Sequence, residues 1–177
     1  MPKAITITKE IIVDSAFEIV RKEGFQSLSA RNISKRIGCS TQPIYWAYKN
    51  MEDLKQDVIT KMVTCLNGVI GNYRKTGKPF LDYGLGYIYA AYTEPTLFKA
   101  IYADNILELT MTDIIPANTM LEIMRQDTCA TGLSDDELME TAVKTWVFAH
   151  GLASLIVSGI IVYDESKIEM ILETFPG

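Results

Sequence analysis

Between Lys9 and Glu23, Val13, Ala16, Phe17 and Val20 recur at intervals of three and four residues, the spacing of one helical face, and Gly24 follows as a left-handed cap. Ser29 then stands as the N-cap of a short second helix, with Ile33 and Ile37 inward and Arg31, Lys35 and Arg36 on the polar side. Gly38 ends it, and Cys39 and Ser40 make the turn. A third helix starts between Ser40 and Pro43, because proline fits only in a first turn, and its inward positions are Ile44 and Tyr48. From Met51 a long helix is predicted. Glu52, Asp53 and Asp57 sit near its positive end, and Leu54, Val58, Met62 and Cys65 or Leu66 form its apolar stripe. Pro79 and Pro95 precede two more helical stretches, "FLDYGLGYIYAAY" and "TLFKAIYA", and Met111, Met120 and Met124 supply pliable apolar surface around a break at Pro116.

The stretch "TWVFAHGLASLIVSGIIVY", residues 145–163, holds no charged residue when His150 is neutral, and its length approaches the roughly 20 residues of a membrane span. His150, two serines, Gly151 and Gly159 dilute it, and Lys144 and Asp164 bound it closely, so no membrane partner is expected. The soluble reading is a helix apolar nearly all round, covered on one side by its own domain and on the other by a second subunit. Gly151, Ala153, Ser154 and Ser158 are small enough for close helix approach, and Leu155 lies among them. A following helix, "ESKIEMILETF", offers Ile168, Ile171 and Leu172 to the same four-helix seam of a homodimer.

Charge changes the picture of the organisation. The net charge is −5, yet residues 1–60 hold nine Lys or Arg against seven Asp or Glu, and residues 61–177 hold eight against fifteen. A +2 segment followed by a −7 remainder suggests two units with different partners, set here at 1–50 and 51–177. Cys39, Cys65 and Cys129 are widely spaced and odd in number, which fits a reducing cytoplasm rather than a disulfide framework or a zinc site. The first ten residues show no secretory signal.

Two short helices joined by a tight glycine-containing turn are a helix-turn-helix, whose second helix enters the DNA major groove. Gln42 can pair with adenine, Thr41 can bond a base edge or touch a thymine methyl, and the Tyr45 hydroxyl can reach a phosphate. Trp46 becomes the exposed apolar contact and Tyr48 packs inward. The competing reading makes these aromatics core alone. Adjacent Tyr45 and Trp46, however, point about 100° apart on a helix and cannot both face one small core.

The run "LSARNISKRIGCSTQPIYWAYKNMEDL" resembles the DNA-binding domain of TetR-family transcriptional regulators. Ser29, Arg31, Ile33, Ser34, Gly38, Cys39, Ser40, Tyr45 and Tyr48 carry the resemblance, with Leu54 as the apolar anchor of the fourth helix. It implies an all-α chain: an N-terminal three-helix helix-turn-helix domain followed by a larger helical ligand-binding and dimerisation domain. The expected DNA-facing residues are Ser29, Arg31, Ser40, Thr41, Gln42, Pro43, Tyr45, Trp46 and Lys49. Met51 stands where the family usually has a phosphate-contacting lysine, and Lys49 or Lys55 are the alternatives. Trp146, His150 and Gly151 also resemble the Trp, His-Gly pattern of one group of such C-terminal domains.

In the second unit, Tyr83, Tyr87, Tyr89, Tyr92 and Phe98 can line a cavity with apolar walls and a few hydroxyls, and ordinary packing is the competing reading. The expected effector contacts are Tyr89, Tyr92, Phe98, Met111, Trp146 and His150. His150, the only histidine, is either a polar handle for that effector or a hydrogen-bonded core residue. No cofactor or metal is expected: one histidine allows no His-based metal cluster, and Gly84 and Gly86 lack the strand and third glycine of a dinucleotide site. No G-x-S-x-G stretch or catalytic constellation can be assembled, so an enzyme is not expected. The sequence thus points to a repressor that binds a double-stranded DNA operator and answers to a small-molecule effector. The alternative is a helical adaptor that acts through a protein partner.

Overall fold

The computed structural model describes residues 7–104, 106, 117–127 and 132–174, and all regular structure among them is helical. The N-terminal helices are α1 (Lys9–Glu23), α2 (Ala30–Ile37) and α3 (Gln42–Ala47), followed by the long α4 (Met51–Asn72). The body adds α5 (Pro79–Thr93), α6 (Pro95–Tyr102), α7 (Ala117–Met124), α8 (Asp135–Val157) and α9 (Glu165–Leu172). Met111, Pro116 and Cys129 lie outside the described residues.

Capping explains where the first helices begin and end. Thr8 accepts from the Ile11 amide, Ser29 from the Asn32 amide and Asn50 from the Asp53 amide, each filling one of the bare donors at a helix start. Gly38 is left-handed, at φ 81° and ψ 36°, and closes α2. Gly24 differs from expectation. Its φ is positive, but its ψ of 165° is extended, so it feeds the chain into a 3-10 turn at Phe25–Ser27 instead of closing a left-handed cap.

Ile12, Ala16, Val20, Ile33, Ile44, Leu54, Val58 and Met62 are fully buried in one core, which continues through Ile88, Leu97 and Ala153 to Leu172. The N-terminal bundle and the body therefore share their interior by way of α4. A second, smaller cluster joins Met120 and Met124 of α7 to Leu138 and Ala142 of α8. Where α5 crosses α4, Gly86 leaves no room for a side chain: a Cβ there would stand 2.8 Å from the Ile70 carbonyl oxygen and 2.9 Å from the Tyr73 Cβ. One ion pair also ties the halves together. Arg21 of α1 donates through Nε to Glu94, between α5 and α6, at 2.7 Å, and a second guanidinium nitrogen meets the other carboxylate oxygen.

The charge-free stretch 145–163 is not one helix. α8 begins at the Ser134–Glu137 capping box, runs through the acidic turn Asp135–Glu137, and stops at Val157, with Ser158 as C-cap and Gly159 at φ 73°. Residues 158–163 leave the helix and turn the chain back toward α9. Among the described residues no helix is long and apolar enough to cross a membrane.

Candidate DNA-reading surface and effector chamber

α3 is only six residues long, and its orientation depends on what it buries. Ile44 is fully buried, and Tyr48, just past the helix end, is 3% exposed. The Tyr48 hydroxyl donates to Asp57 of α4 at 2.7 Å, the Lys9 ammonium lies 4.7 Å from its ring, and burial first and Asp57 second push its ionisation far up. α3 is thereby pinned to α4 and α1. The opposite side looks outward, with Tyr45 56% and Trp46 76% exposed. Ser40, Thr41, Gln42 and Lys49 are exposed on the same edge, and Pro43 occupies the first turn half-buried. Thr41 makes no side-chain capping bond, so its hydroxyl is not engaged at the helix start.

Arg31 is exposed in the first turn of α2, whereas the Ser29 hydroxyl accepts from the Asn32 amide. Met51 is half-buried against the core, so the position of the family's usual lysine is taken by packing. Of the two alternative cations, Lys55 meets Glu52 at 3.2 Å, while Lys49 is exposed and has no ion pair among the described residues.

The second site is an aromatic box between α5, α6 and α8. Tyr87 is 4% exposed, and its hydroxyl lies 2.8 Å from His150 Nδ1. The imidazole is stacked between Trp146, at 5.1 Å and 18°, and Phe98, at 5.8 Å and 29°. Tyr102 meets the same ring edge-on at 5.4 Å. Burial holds the His150 pKa below its ordinary value and pushes the hydroxyls of Tyr83, Tyr87 and Tyr102 upward, so the whole box is neutral around pH 7.

Beside the box is a cavity of about 10 Å³, lined by Phe80, Tyr83, Tyr87, Met120, Thr145 and Trp146 among others. The Thr145 hydroxyl is buried there without a hydrogen-bond partner among the described residues. On the outer side of His150 a cleft of about 110 Å³ runs past Phe98, Lys99, Tyr102 and Ser154.

Of the expected effector contacts, Phe98, Trp146 and His150 come together. Tyr89 and Tyr92 do not. They lie on the other side of α5, 36% and 50% exposed, where Tyr92 stacks on Tyr163 at 4.2 Å and Tyr89 tilts against Tyr73 at 5.6 Å. Tyr89 follows Tyr87 by two residues, about 200° round the helix, so one of the pair must face away. Met111 lies outside the described residues. Tyr102 and Thr145 are additions that no sequence pattern marked.

The expected subunit seam is also divided. Gly151 and Ser158 are exposed, Leu155 is 38% exposed and Ser154 is half-buried, all along one side of α8, and Ile171 of α9 is 39% exposed. Ile168 and Leu172 are corrections. Both are buried in the chain's own core, because α9 folds back against α5, where Leu172 Cδ1 lies 3.5 Å from a Cβ built on Gly84. They cannot face a partner.

Residues 12–58 match the family model described as bacterial regulatory proteins, tetR family. No protein of curated function matches the chain. Among solved structures, a TetR-like transcriptional regulator from Rhodococcus sp. RHA1 superposes with a TM-score of 0.65 at 13% identity, covering 99% of this chain and 95% of its own. BioQ, solved with its double-stranded DNA operator, gives 0.57 at 14% identity over 94% and 96% of the two chains. The multidrug binding protein EbrR, solved with imidazole, gives 0.60 at 15% identity over 96% and 89%. An N-terminal stretch that matches the tetR-family model thus sits on a body whose fold is that of solved TetR-like regulators.

Proposed function

We propose that the protein is a cytoplasmic, ligand-responsive repressor that binds a palindromic operator as a homodimer. The observation that carries the reading is the two-sidedness of α3: Ile44 and Tyr48 fix it from below while Gln42, Tyr45 and Trp46 stand free above. Such a helix presents base-reading and phosphate-reading groups at the depth of a major groove. The aromatic box supplies the effector site, and BioQ with its operator and EbrR with imidazole are precedents for the two ligand classes. Dimerisation would use the α8 side marked by Gly151, Leu155 and Ser158, together with Ile171 of α9. Two copies would then read half-sites about 34 to 36 Å apart, or a multiple of that. The 1–50 and 51–177 division is kept as a functional one, reader and sensor, joined through α4.

Selection from a random duplex library, followed by binding over a salt series, tests this reading. A palindromic winner with a steep salt slope is expected. Gln42→Ala should lose about 1 to 3 kcal/mol of base discrimination, and Tyr45→Phe should weaken all sequences alike. A folded protein that selects no common sequence, or variants that bind as the parent does, would remove α3 from the role of reader.

A further inference from the structure

Resting on the effector reading above, we propose that the chamber beside His150 takes a neutral, planar aromatic compound bearing one hydroxyl or carbonyl, and that the Thr145 hydroxyl is its polar anchor. A helical threonine usually satisfies its hydroxyl on the carbonyl one turn back. Thr145 does not; among the described residues its hydroxyl is buried and unpartnered, at the wall of a cavity whose other described lining is almost wholly apolar. A buried polar group of this kind gains from any ligand atom that reaches it.

The walls restrict the rest of the molecule. Among the described residues no Asp, Glu, Lys or Arg lines the chamber, and the titratable groups facing it, Tyr83 and Tyr87 with His150 behind them, are held neutral by burial. An anion or cation placed there would lose its hydration without a counter-charge. Aromatic faces can hold cations. Here one face of Trp146 is already stacked on the His150 imidazole, and a cation against the Phe80, Tyr83 or Tyr87 rings would meet no carboxylate among the described lining residues. Lys99 lies at the outer cleft, beyond His150.

Room for the ring comes from the seam between two cores. Tyr83 packs against both the main core and the small cluster of Met120, Met124, Leu138 and Ala142. That cluster is the only anchorage described for α7 in the hydrophobic interior, and two of its four members are flexible methionines. A flat ring can wedge between Tyr83, Tyr87 and Trp146 on one side and Met120 on the other if the Met120 end of α7 swings outward, while its far end stays held by Asp127, which accepts from the Phe80 amide at 3.2 Å, and by Arg125, paired with Asp135.

Calorimetric titration of the full chain with 1-naphthol, 1-methylnaphthalene, 1-naphthoate and 1-naphthylmethylammonium tests the inference, with operator affinity measured at saturation by each. Naphthol is expected to bind at least tenfold tighter than either ion and about tenfold tighter than methylnaphthalene. Thr145→Val should erase the naphthol preference over methylnaphthalene while leaving the apo protein as stable as the parent or more so. Equal or tighter binding of an ion, an unchanged preference in Thr145→Val, or no binding of naphthol overturns the inference. If naphthol binds as expected but operator affinity does not change, the site stands and the effector reading falls. If an ion releases the operator instead, the effector reading stands and the ligand class falls.

Discussion

Replacing Gly86 by alanine adds one methyl group at the place where α5 crosses α4. In an exposed helix interior the change would stabilise by about 1 kcal/mol, because glycine costs that much against alanine. At Gly86 the new Cβ would stand 2.8 Å from a backbone oxygen, 2.9 Å from Tyr73 Cβ and 3.3 Å from Ile70 Cα. Two of these neighbours are main chain and cannot rotate away, so α5 must lift from α4 by several tenths of an ångström. Overpacking of this sort costs about 1 to 3 kcal/mol before the propensity gain is set against it. Gly68, in α4, provides the control, since nothing lies within 4 Å of its built Cβ. Gly68→Ala should therefore gain roughly 0.5 to 1 kcal/mol and Gly86→Ala should lose about 1 to 2 kcal/mol. Urea unfolding followed by circular dichroism, at one protein concentration, resolves a gap of that size. Equal stability of the two variants would mean that α4 and α5 do not approach as closely as described.

Arg21→Ala strands the buried Glu94 carboxylate and should cost about 1 to 3 kcal/mol, the lower part of the range reflecting a half-exposed guanidinium. A cycle with Glu94→Gln should return a coupling near 1 kcal/mol, and a value near zero would deny the pair any role. His150 has a folded pKa below its ordinary 6.5, so the unfolded chain takes up this proton first as pH falls. Stability from this ring is therefore fully present above about pH 6.5 and declines below it until the folded pKa is passed; thermal melts of the parent and His150→Gln should diverge in slope there, and parallel melts would refute it. Gly151→Ala meets open space within one chain, so it should stabilise the fold by up to about 1 kcal/mol yet weaken the dimer at least tenfold by light scattering, if subunits meet there. A dimer of unchanged strength would move the seam elsewhere.

The N-terminal helices were legible because their signals are local. Ser29, Gly38 and Pro43 punctuate the chain, and Ile33, Ile44 and Tyr48 sit at inward positions that periodicity alone selects. The body was less legible for identifiable reasons. Seven helical positions of α5 and α6 carry tyrosine or phenylalanine between 80 and 102, and composition cannot say which face the chamber; the four-residue spacing of Tyr83 and Tyr87 was the available signal. Thr145 gave none, since its isolation depends on neighbours from α5 and α7. The end of α8 was marked by Ser158 and Gly159, but the apolar run that follows masked it, and Ile160 and Val162 prove 70% and 91% exposed. Ile168 and Leu172 share an apolar face that periodicity finds correctly, while its target, the chain's own α5 rather than a second copy, is a tertiary choice.

The interior shared through α4 has a bearing on how such readers are exchanged between proteins. Leu54 and Val58 belong to α4 by sequence position, yet they share one buried core with Ile12, Val20 and Ile44, and the family match itself extends to residue 58. A chimera spliced at residue 50 would hand the new protein a bundle with its floor removed. A splice placed on the solvent-facing side of α4 beyond Val58 carries the floor along, and inherits with it the direction in which the lever points.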